Sequence, residues 1–152
     1  MFLIFKRETV RSILYDINKY MNLEIINIAA NSKNNKDIKN YTHYSKLKNS
    51  ICGDEIQIKL IIKENKIVNF GYQTASCIYC QASASLLSKI SMNSKKNSIV
   101  KLCDEAKSFF NKDKKKFNDN LKLFSSLFIK ENFARKDCIL LPFKALKKIV
   151  SD

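Results

Sequence analysis

The spacing of apolar residues changes twice along this chain, and these changes restrict the folds that it can adopt. Apolar residues occupy every second position at Ile56, Ile58, Leu60 and Ile62. Alternation with a period of two is typical of a β-strand that buries one face. On both sides of this region apolar residues instead recur every three or four positions, as they do in amphipathic helices. The chain is therefore predicted to combine a small antiparallel sheet with several helices.

The first half of the chain is predicted to supply the sheet. An amphipathic helix is expected at residues 9–23, followed by a polar surface loop over residues 27–50 that includes a short edge strand near residues 42–46. The alternating strand begins after Asp54, and residues 64–65 can turn the chain into a returning strand over residues 66–74.

The second half is predicted to be helical. Amphipathic spacing predicts helices at residues 78–90, 99–110, 118–129 and 138–150, and Pro142 is tolerated if it falls in the first turn of the last helix. A helix, a hairpin and then a run of helices give an α+β fold in which a small antiparallel sheet packs against several helices.

The charge and hydropathy of the chain exclude some functions. The net charge of +14 comes mainly from 25 lysines. They are dispersed, and the densest run, residues 112–116, has no aromatic residue to stack on a base. No segment reaches the roughly 18 apolar residues of a membrane span, and residues 1–5 are too short an apolar run for a secretory signal. We expect one cytoplasmic domain over residues 1–152, with no nucleic-acid partner and no membrane partner.

Three of the five cysteines lie at predicted element boundaries. Cys52 precedes Gly53 and Asp54 where a loop becomes a strand, and glycine lets the backbone turn both flanking side chains toward one ion. Cys77 and Cys138 each begin a predicted helix, whose free N–H groups stabilise a thiolate. Three thiols and a carboxylate fit a tetrahedral zinc site or the ligand set of an iron–sulfur cluster. Burial in the core is the alternative, because cysteine is among the most commonly buried residues.

The order and spacing of three motifs resemble the NifU N-terminal, IscU and SufU family of iron–sulfur cluster assembly proteins. After Cys52-Gly53-Asp54 come 22 residues, Cys77, and the run Ala-Ser-Ala-Ser at residues 82–85, which resembles the C-G-D…C-x4-A-S-A-S pattern of the SufU-like branch. The segment Arg135-x-x-Cys138-x-x-Leu141 resembles the C-terminal cysteine motif of the family. The 60 residues between Cys77 and Cys138 favour the SufU-like branch. The resemblance covers roughly residues 10–150.

The resemblance implies a scaffold protein in which Cys52 accepts sulfur from a cysteine desulfurase. It further implies that Cys52, Asp54, Cys77 and Cys138 bind iron or a nascent iron–sulfur cluster, which is then passed to apo iron–sulfur proteins or downstream carriers. If the same four residues bind zinc, the implied function is that of a zinc-dependent sulfurtransferase, an enzyme that relays persulfide sulfur without building the cluster. A purely structural zinc ion is a third alternative.

Four other residues could take part in the chemistry of the site or could be purely structural. Asp137 stands where the IscU branch has a ligating His and the SufU-like branch usually a Lys, so it either replaces that ligand or disfavours an anionic cluster. Cys80 lies one helical turn after Cys77 and is a packed cysteine, a redox partner of Cys77 or a spare sulfur site. Cys103 lies among apolar residues and is predicted to be in the core. His43, in a polar segment, is predicted to lie at the surface.

Overall fold

The computed structural model describes residues 9–12, 15, 22–111 and 119–152. In this part of the chain, a short helix is followed by three consecutive strands and then by a run of helices, an α+β order. They are α1 Leu23–Ala30, β1 His43–Lys48, β2 Glu55–Lys63, β3 Lys66–Ala75, α2 Ile78–Ser91, α3 Lys96–Asn111, two 3-10 helices at Asp119–Phe124 and Lys130–Arg135, and α4 Lys136–Val150. The predicted α+β fold, with a small antiparallel sheet packed against several helices, is confirmed.

The sheet is antiparallel, with strand order β1-β2-β3. The turn between β2 and β3 consists of Glu64 and Asn65, both with positive φ (50° and 63°), the geometry of the two-residue hairpin turns that match strand twist. Ile56, Ile58 and Leu60 are fully buried on the helix-facing side. The alternating sequence therefore predicted both the hairpin and the face that it buries.

The segment of residues 31–42 covers part of the opposite face of the sheet. A Cβ added to Gly71 in β3 would lie 2.5 Å from Ile38 Cγ1 and 2.7 Å from the Lys36 carbonyl oxygen. Lys59 in β2 forms a 2.6 Å ion pair with Asp37 in this segment. The predicted surface loop is thus fixed against the sheet, and only a residue without a side chain fits beneath it.

Small residues let α2 pack closely against its neighbours. Ala82, Ser83, Ala84 and Ser85 are all buried, and α2 contacts both α1 and α4. The Ser83 hydroxyl donates a 2.6 Å hydrogen bond to the carbonyl oxygen of Ile139 in α4. This close contact brings the N-terminal ends of α2 and α4 to the same side of the molecule.

Two predictions in the second half of the chain are wrong in detail. Residues 119–129 form a 3-10 helix and turns instead of an α-helix, with Leu121, Phe124 and Leu127 buried at intervals of three, the period of a 3-10 helix. Helix α4 begins at Lys136, so Pro142 lies in its second turn instead of its first. Proline lacks the N–H that a regular helix donates to the carbonyl four residues earlier, here that of Cys138.

The predicted N-terminal helix of residues 9–23 is mostly outside the described residues, as are residues 1–8 and the lysine-rich run at 112–116. Residues 9–12 and 15 are helical. Leu23, near the predicted end of that helix, begins α1 instead, and the Asn22 side chain accepts hydrogen bonds from the N–H groups of Glu24 and Ile25 and caps α1 there. Helix α1 also occupies the start of the predicted loop. None of the described helices is long and apolar enough to cross a membrane.

Candidate metal and sulfur site

Cys52, Gly53 and Asp54 lie in the loop of residues 49–54 between β1 and β2. The loop is closed by hydrogen bonds from Asn49 N to Asp54 O (2.7 Å) and from Gly53 N to Asn49 O (2.8 Å). Gly53 has φ +76°, a conformation that other residues adopt only at a cost, and no atom lies within 4 Å of the place where its Cβ would be. The backbone turn therefore requires glycine, and it leaves Cys52 exposed and Asp54 buried.

Cys77 and Cys138 lie at two helix starts that converge on this loop. Cys77 is the N-cap of α2, with extended backbone, and its side chain makes no capping hydrogen bond. Cys138 is the third residue of α4 and is buried. The Arg135 guanidinium, just before α4, lies 5.7 Å from the centroid of the Tyr79 ring in the first turn of α2. The N-terminal ends of both helices therefore lie next to each other beside the 49–54 loop.

The structure brings the predicted residues together around one point. The Sγ atoms of Cys52 and Cys138 are 3.7 Å apart, and the ligand atoms of Cys52, Asp54 and Cys138 all lie within 4.8 Å of one another. Cys77 lies beside this group, because its backbone N–H donates a 3.0 Å hydrogen bond to Asp54 Oδ1. Three of the four predicted residues therefore form a compact ligand group, and the fourth is fixed to it.

The electrostatics of the group fit a cation. Asp54 Oδ2 is buried and has no hydrogen-bond partner among the described residues, although buried carboxylate oxygens are normally paired. Burial raises the pKa of the Cys138 thiol, and the adjacent Cys52, Cys77 and Asp54 raise it further. A bound cation would pair with the free oxygen and would hold the thiols as thiolates. Soft thiolates with one carboxylate fit zinc or iron.

The other two cysteines are buried. Cys103 is 3% exposed within the core, as predicted, and burial raises the pKa of its thiol to about 12. Cys80 is fully buried, and burial raises the pKa of its thiol to about 12 as well. Cys80 lies close to a hydroxyl group, with its Sγ 4.0 Å from Thr74 Oγ1.

Asp137 and His43 lie outside the ligand group. The Asp137 carboxylate is partly exposed and lies 4.0 Å from the ammonium group of Lys144, which is two helical turns further along α4. His43 begins β1, and its Nδ1 lies 2.7 Å from the hydroxyl of the adjacent Thr42. Within the described residues the compact group is thus limited to sulfur and carboxylate ligands.

A pocket beside Cys52 was not predicted from the sequence. It has a volume of about 380 Å³ and lies between the 49–54 loop and α4. Its lining residues are Leu47, Lys48, Asn49, Ser50, Ile51, Asp137, Leu141 and Lys144. Ile51, immediately before Cys52, is 83% exposed. The one sign of this pocket in the sequence was an isoleucine beside Cys52-Gly53-Asp54 in an otherwise polar loop. Because the other wall of the pocket is α4, which is distant in sequence, the isoleucine alone could not predict it.

Comparisons with known proteins agree with this architecture. A family model described as the NifU-like N-terminal domain matches residues 20–116, which include Cys52, Asp54 and Cys77 but not Cys138. The chain is 32% identical over 134 residues to a Thermotoga maritima protein described as iron-sulfur cluster assembly scaffold protein IscU, covering 86% of this chain and 92% of that protein. It is 33% identical over 144 residues to an uncharacterised protein of Borreliella burgdorferi, covering 93% of this chain and 86% of that protein.

Two crystal structures show the same fold. A putative iron-sulfur cluster assembly scaffold protein for the SUF system from Fervidobacterium islandicum superposes with a TM-score of 0.75 at 23% identity, covering 83% of this chain and 93% of that one. A NifU-like N-terminal protein from Brucella abortus superposes with a TM-score of 0.76 at 17% identity, covering 89% of this chain and 94% of that one. At these identities the similarity establishes the fold.

Proposed function

The chain belongs to the NifU-like N-terminal domain family of iron–sulfur cluster assembly scaffold proteins, and we propose that it accepts sulfur at Cys52 and assembles a nascent cluster there. In this proposal Cys52, Asp54, Cys77 and Cys138 hold iron or the cluster until it passes to apo iron–sulfur proteins or downstream carriers. The observation that carries the proposal is the approach of the Cys52, Asp54 and Cys138 ligand atoms to within 4.8 Å of one another.

Exposure and backbone geometry favour Cys52 as the sulfur acceptor. It is the one exposed thiol among the five, and it precedes a glycine in a loop, so its side chain can move between the site and a partner. Cys77 and Cys138 are held by helices and are less accessible. A thiol that attacks a persulfide needs both access and a free path for the incoming sulfur.

The acceptor assignment is tested with a cysteine desulfurase and free cysteine under anaerobic conditions. Intact-mass and peptide analysis should show an adduct of about 32 Da, one sulfur atom, on Cys52. The Cys52→Ser variant should lose the adduct, while Cys103→Ser, which alters a buried thiol away from the site, should keep it. An adduct that persists in Cys52→Ser and maps to another cysteine contradicts the assignment.

The pocket beside Cys52 is the proposed docking place for the desulfurase. Ile51, one of its lining residues, directly precedes the acceptor cysteine and exposes a large apolar side chain to solvent, as residues at protein interfaces often do. Ile51→Asp should slow sulfur transfer from the desulfurase at least tenfold and leave metal content unchanged. The matched control is Leu123→Asp, an exposed apolar residue elsewhere on the surface. Equal transfer rates for both variants would show that the desulfurase does not dock at this pocket.

A zinc-dependent sulfurtransferase is the second candidate, and the position of Asp137 favours it. With Asp137 directed toward Lys144, the compact group together with the adjacent Cys77 would give three sulfur ligands and one oxygen, a set suited to tetrahedral zinc. Zinc bound there would keep the ligand thiols deprotonated near neutral pH without redox chemistry. Cys52, as the exposed ligand, would then leave the site to accept the persulfide sulfur.

Anaerobic purification and reconstitution distinguish the two functions. A scaffold should bind ferrous iron and sulfide, develop the visible absorption of a cluster and transfer it to an apo iron–sulfur protein. A sulfurtransferase should retain about one zinc per chain and pass persulfide sulfur to an acceptor thiol, but should form no transferable cluster. The Cys77→Ser variant should lose function under either mechanism, so it serves as the negative control.

A further inference from the structure

Cys80 lies three positions after Cys77 and has no role in the proposed four-ligand site. Cys77 is the partly exposed N-cap of α2, and Cys80 is the fully buried third residue of the same helix. Side chains three positions apart at a helix start lie on one face, with Cβ atoms about 5–6 Å apart. A small adjustment of the first turn brings two such cysteines to the separation that a disulfide needs. Both thiols are free.

The surroundings of Cys80 differ from those of an inert core cysteine. Its Sγ lies 4.0 Å from Thr74 Oγ1, which lies 2.7 Å from Ser76 Oγ. These hydroxyls lead from the buried thiol to the partly exposed end of β3 and can relay its proton. Cys103, also buried, instead adjoins a small cavity whose lining includes Leu140, Phe143 and Lys147 but no hydroxyl group. The structure thus places one buried thiol beside the site with a polar route for its proton.

We propose that Cys80 is the thiol that reduces delivered sulfur to sulfide, a step that rests on the proposed function of Cys52. The Cys77 thiolate attacks the outer sulfur of the Cys52 persulfide, which restores Cys52 as a thiolate and leaves the persulfide on Cys77. Cys80 then attacks Cys77 Sγ. The persulfide S–S bond breaks, a Cys77–Cys80 disulfide forms, and the outer sulfur leaves as hydrosulfide with the bonding electron pair.

This sequence balances without a bound redox cofactor. The transferred sulfur gains two electrons, and the thiols of Cys77 and Cys80 supply them in becoming a disulfide. The Cys80 proton leaves through the Thr74 and Ser76 hydroxyls and is taken up by the hydrosulfide. An external dithiol then reduces the disulfide and completes the cycle. The sulfide is released beside Cys52, Asp54 and Cys138, which remain free to hold iron.

The test uses the metal-free full chain and sodium tetrasulfide as the sulfur donor, so that it does not depend on a desulfurase. After anaerobic loading and removal of excess donor, the adduct of about 32 Da should decay in wild type with release of about one sulfide per chain. The product should be about 2 Da lighter than the reduced protein, with a Cys77–Cys80 disulfide. Cys80→Ser should keep the adduct and release less than about a tenth as much sulfide, while Cys103→Ser should behave as wild type.

Each outcome decides between the two proposals. A Cys52 adduct that persists in wild type, or a disulfide that maps to Cys52 and Cys138, overturns the role of Cys80 and leaves the acceptor role of Cys52 intact. Failure to load Cys52 at all overturns the acceptor assignment and the reduction step with it. The disulfide map of wild type decides the question even if Cys80→Ser does not fold.

Discussion

The two oxygens of the Asp54 carboxylate have different environments, and replacing Asp54 by asparagine separates their roles. Oδ1 accepts the 3.0 Å hydrogen bond from Cys77 N, whereas Oδ2 is buried without a hydrogen-bond partner in the described structure. Asp54→Asn keeps an oxygen for Cys77 and replaces Oδ2 by an amide NH2, which cannot bind a cation. Asp54→Ala removes both functions and is the matched comparison.

The expected free energies follow from these contacts. Without metal, Asp54→Ala should lower the free energy of unfolding by about 1.5–3 kcal/mol, because it removes a hydrogen bond to a charged group. Asp54→Asn should change it by less than about 1 kcal/mol, since the bond to Cys77 persists. At a zinc concentration one hundred times the Kd, wild type should gain about 2.7 kcal/mol. If affinity falls one hundredfold, Asp54→Asn should gain only about 0.4 kcal/mol.

Urea unfolding of wild type, Asp54→Asn and Asp54→Ala, with and without zinc, measures both quantities. Equal zinc stabilisation of wild type and Asp54→Asn would show that Oδ2 is not a ligand. If Asp54→Asn and Asp54→Ala are equally unstable without metal, the hydrogen bond to Cys77 is not the source of the stability that Asp54 provides.

Two further predictions concern residues away from the ligand group. Gly71→Ala should lower the free energy of unfolding by about 1–3 kcal/mol, because its methyl group would overlap Ile38, and unchanged urea midpoints would contradict the close packing of residues 31–42 on the sheet. Burial raises the pKa of the Cys103 thiol to about 12. Above about pH 8.5 the unfolded chain loses this proton while the folded protein keeps it. The free energy of unfolding should therefore fall by about 1.4 kcal/mol per pH unit because of this thiol. In urea titrations between about pH 9 and pH 11, Cys103→Ala should show a slope that is shallower by that amount, and parallel slopes would contradict it.

Local patterns predicted the elements of this fold but not how the connections pack. The period-two run and the turn at Glu64 and Asn65 are properties of adjacent residues, so the hairpin could be predicted. The path of residues 31–42 depends on contacts between Ile38 and Gly71, which are distant in sequence. A glycine inside a strand pattern is a general sign of close backbone approach, but it does not identify the segment that approaches.

The candidate site, like the fold, was predictable only in part. The positions of Cys52, Cys77 and Cys138 at element boundaries were predictable, because boundaries follow from the change of period. Their geometry was not, since the 3.7 Å contact between Cys52 and Cys138 joins residues 86 positions apart. The error over residues 119–129 arose because buried residues at intervals of three resemble one face of an α-helix as well as a 3-10 helix.

The arrangement of the ligand group accounts for the different roles proposed for its thiols. Helix packing fixes Cys138, and the N-cap position together with the hydrogen bond to Asp54 fixes Cys77. Of the three thiols, only that of Cys52 lies in the glycine-containing loop and is exposed. A ligand that must leave a metal to meet a partner needs a low cost of movement, while the remaining ligands must hold their positions so that the site survives its departure. We therefore expect exchange at Cys52 to leave Asp54, Cys77 and Cys138 in place, and the tight loop closed between Asn49 and Asp54 confines the movement to the acceptor thiol.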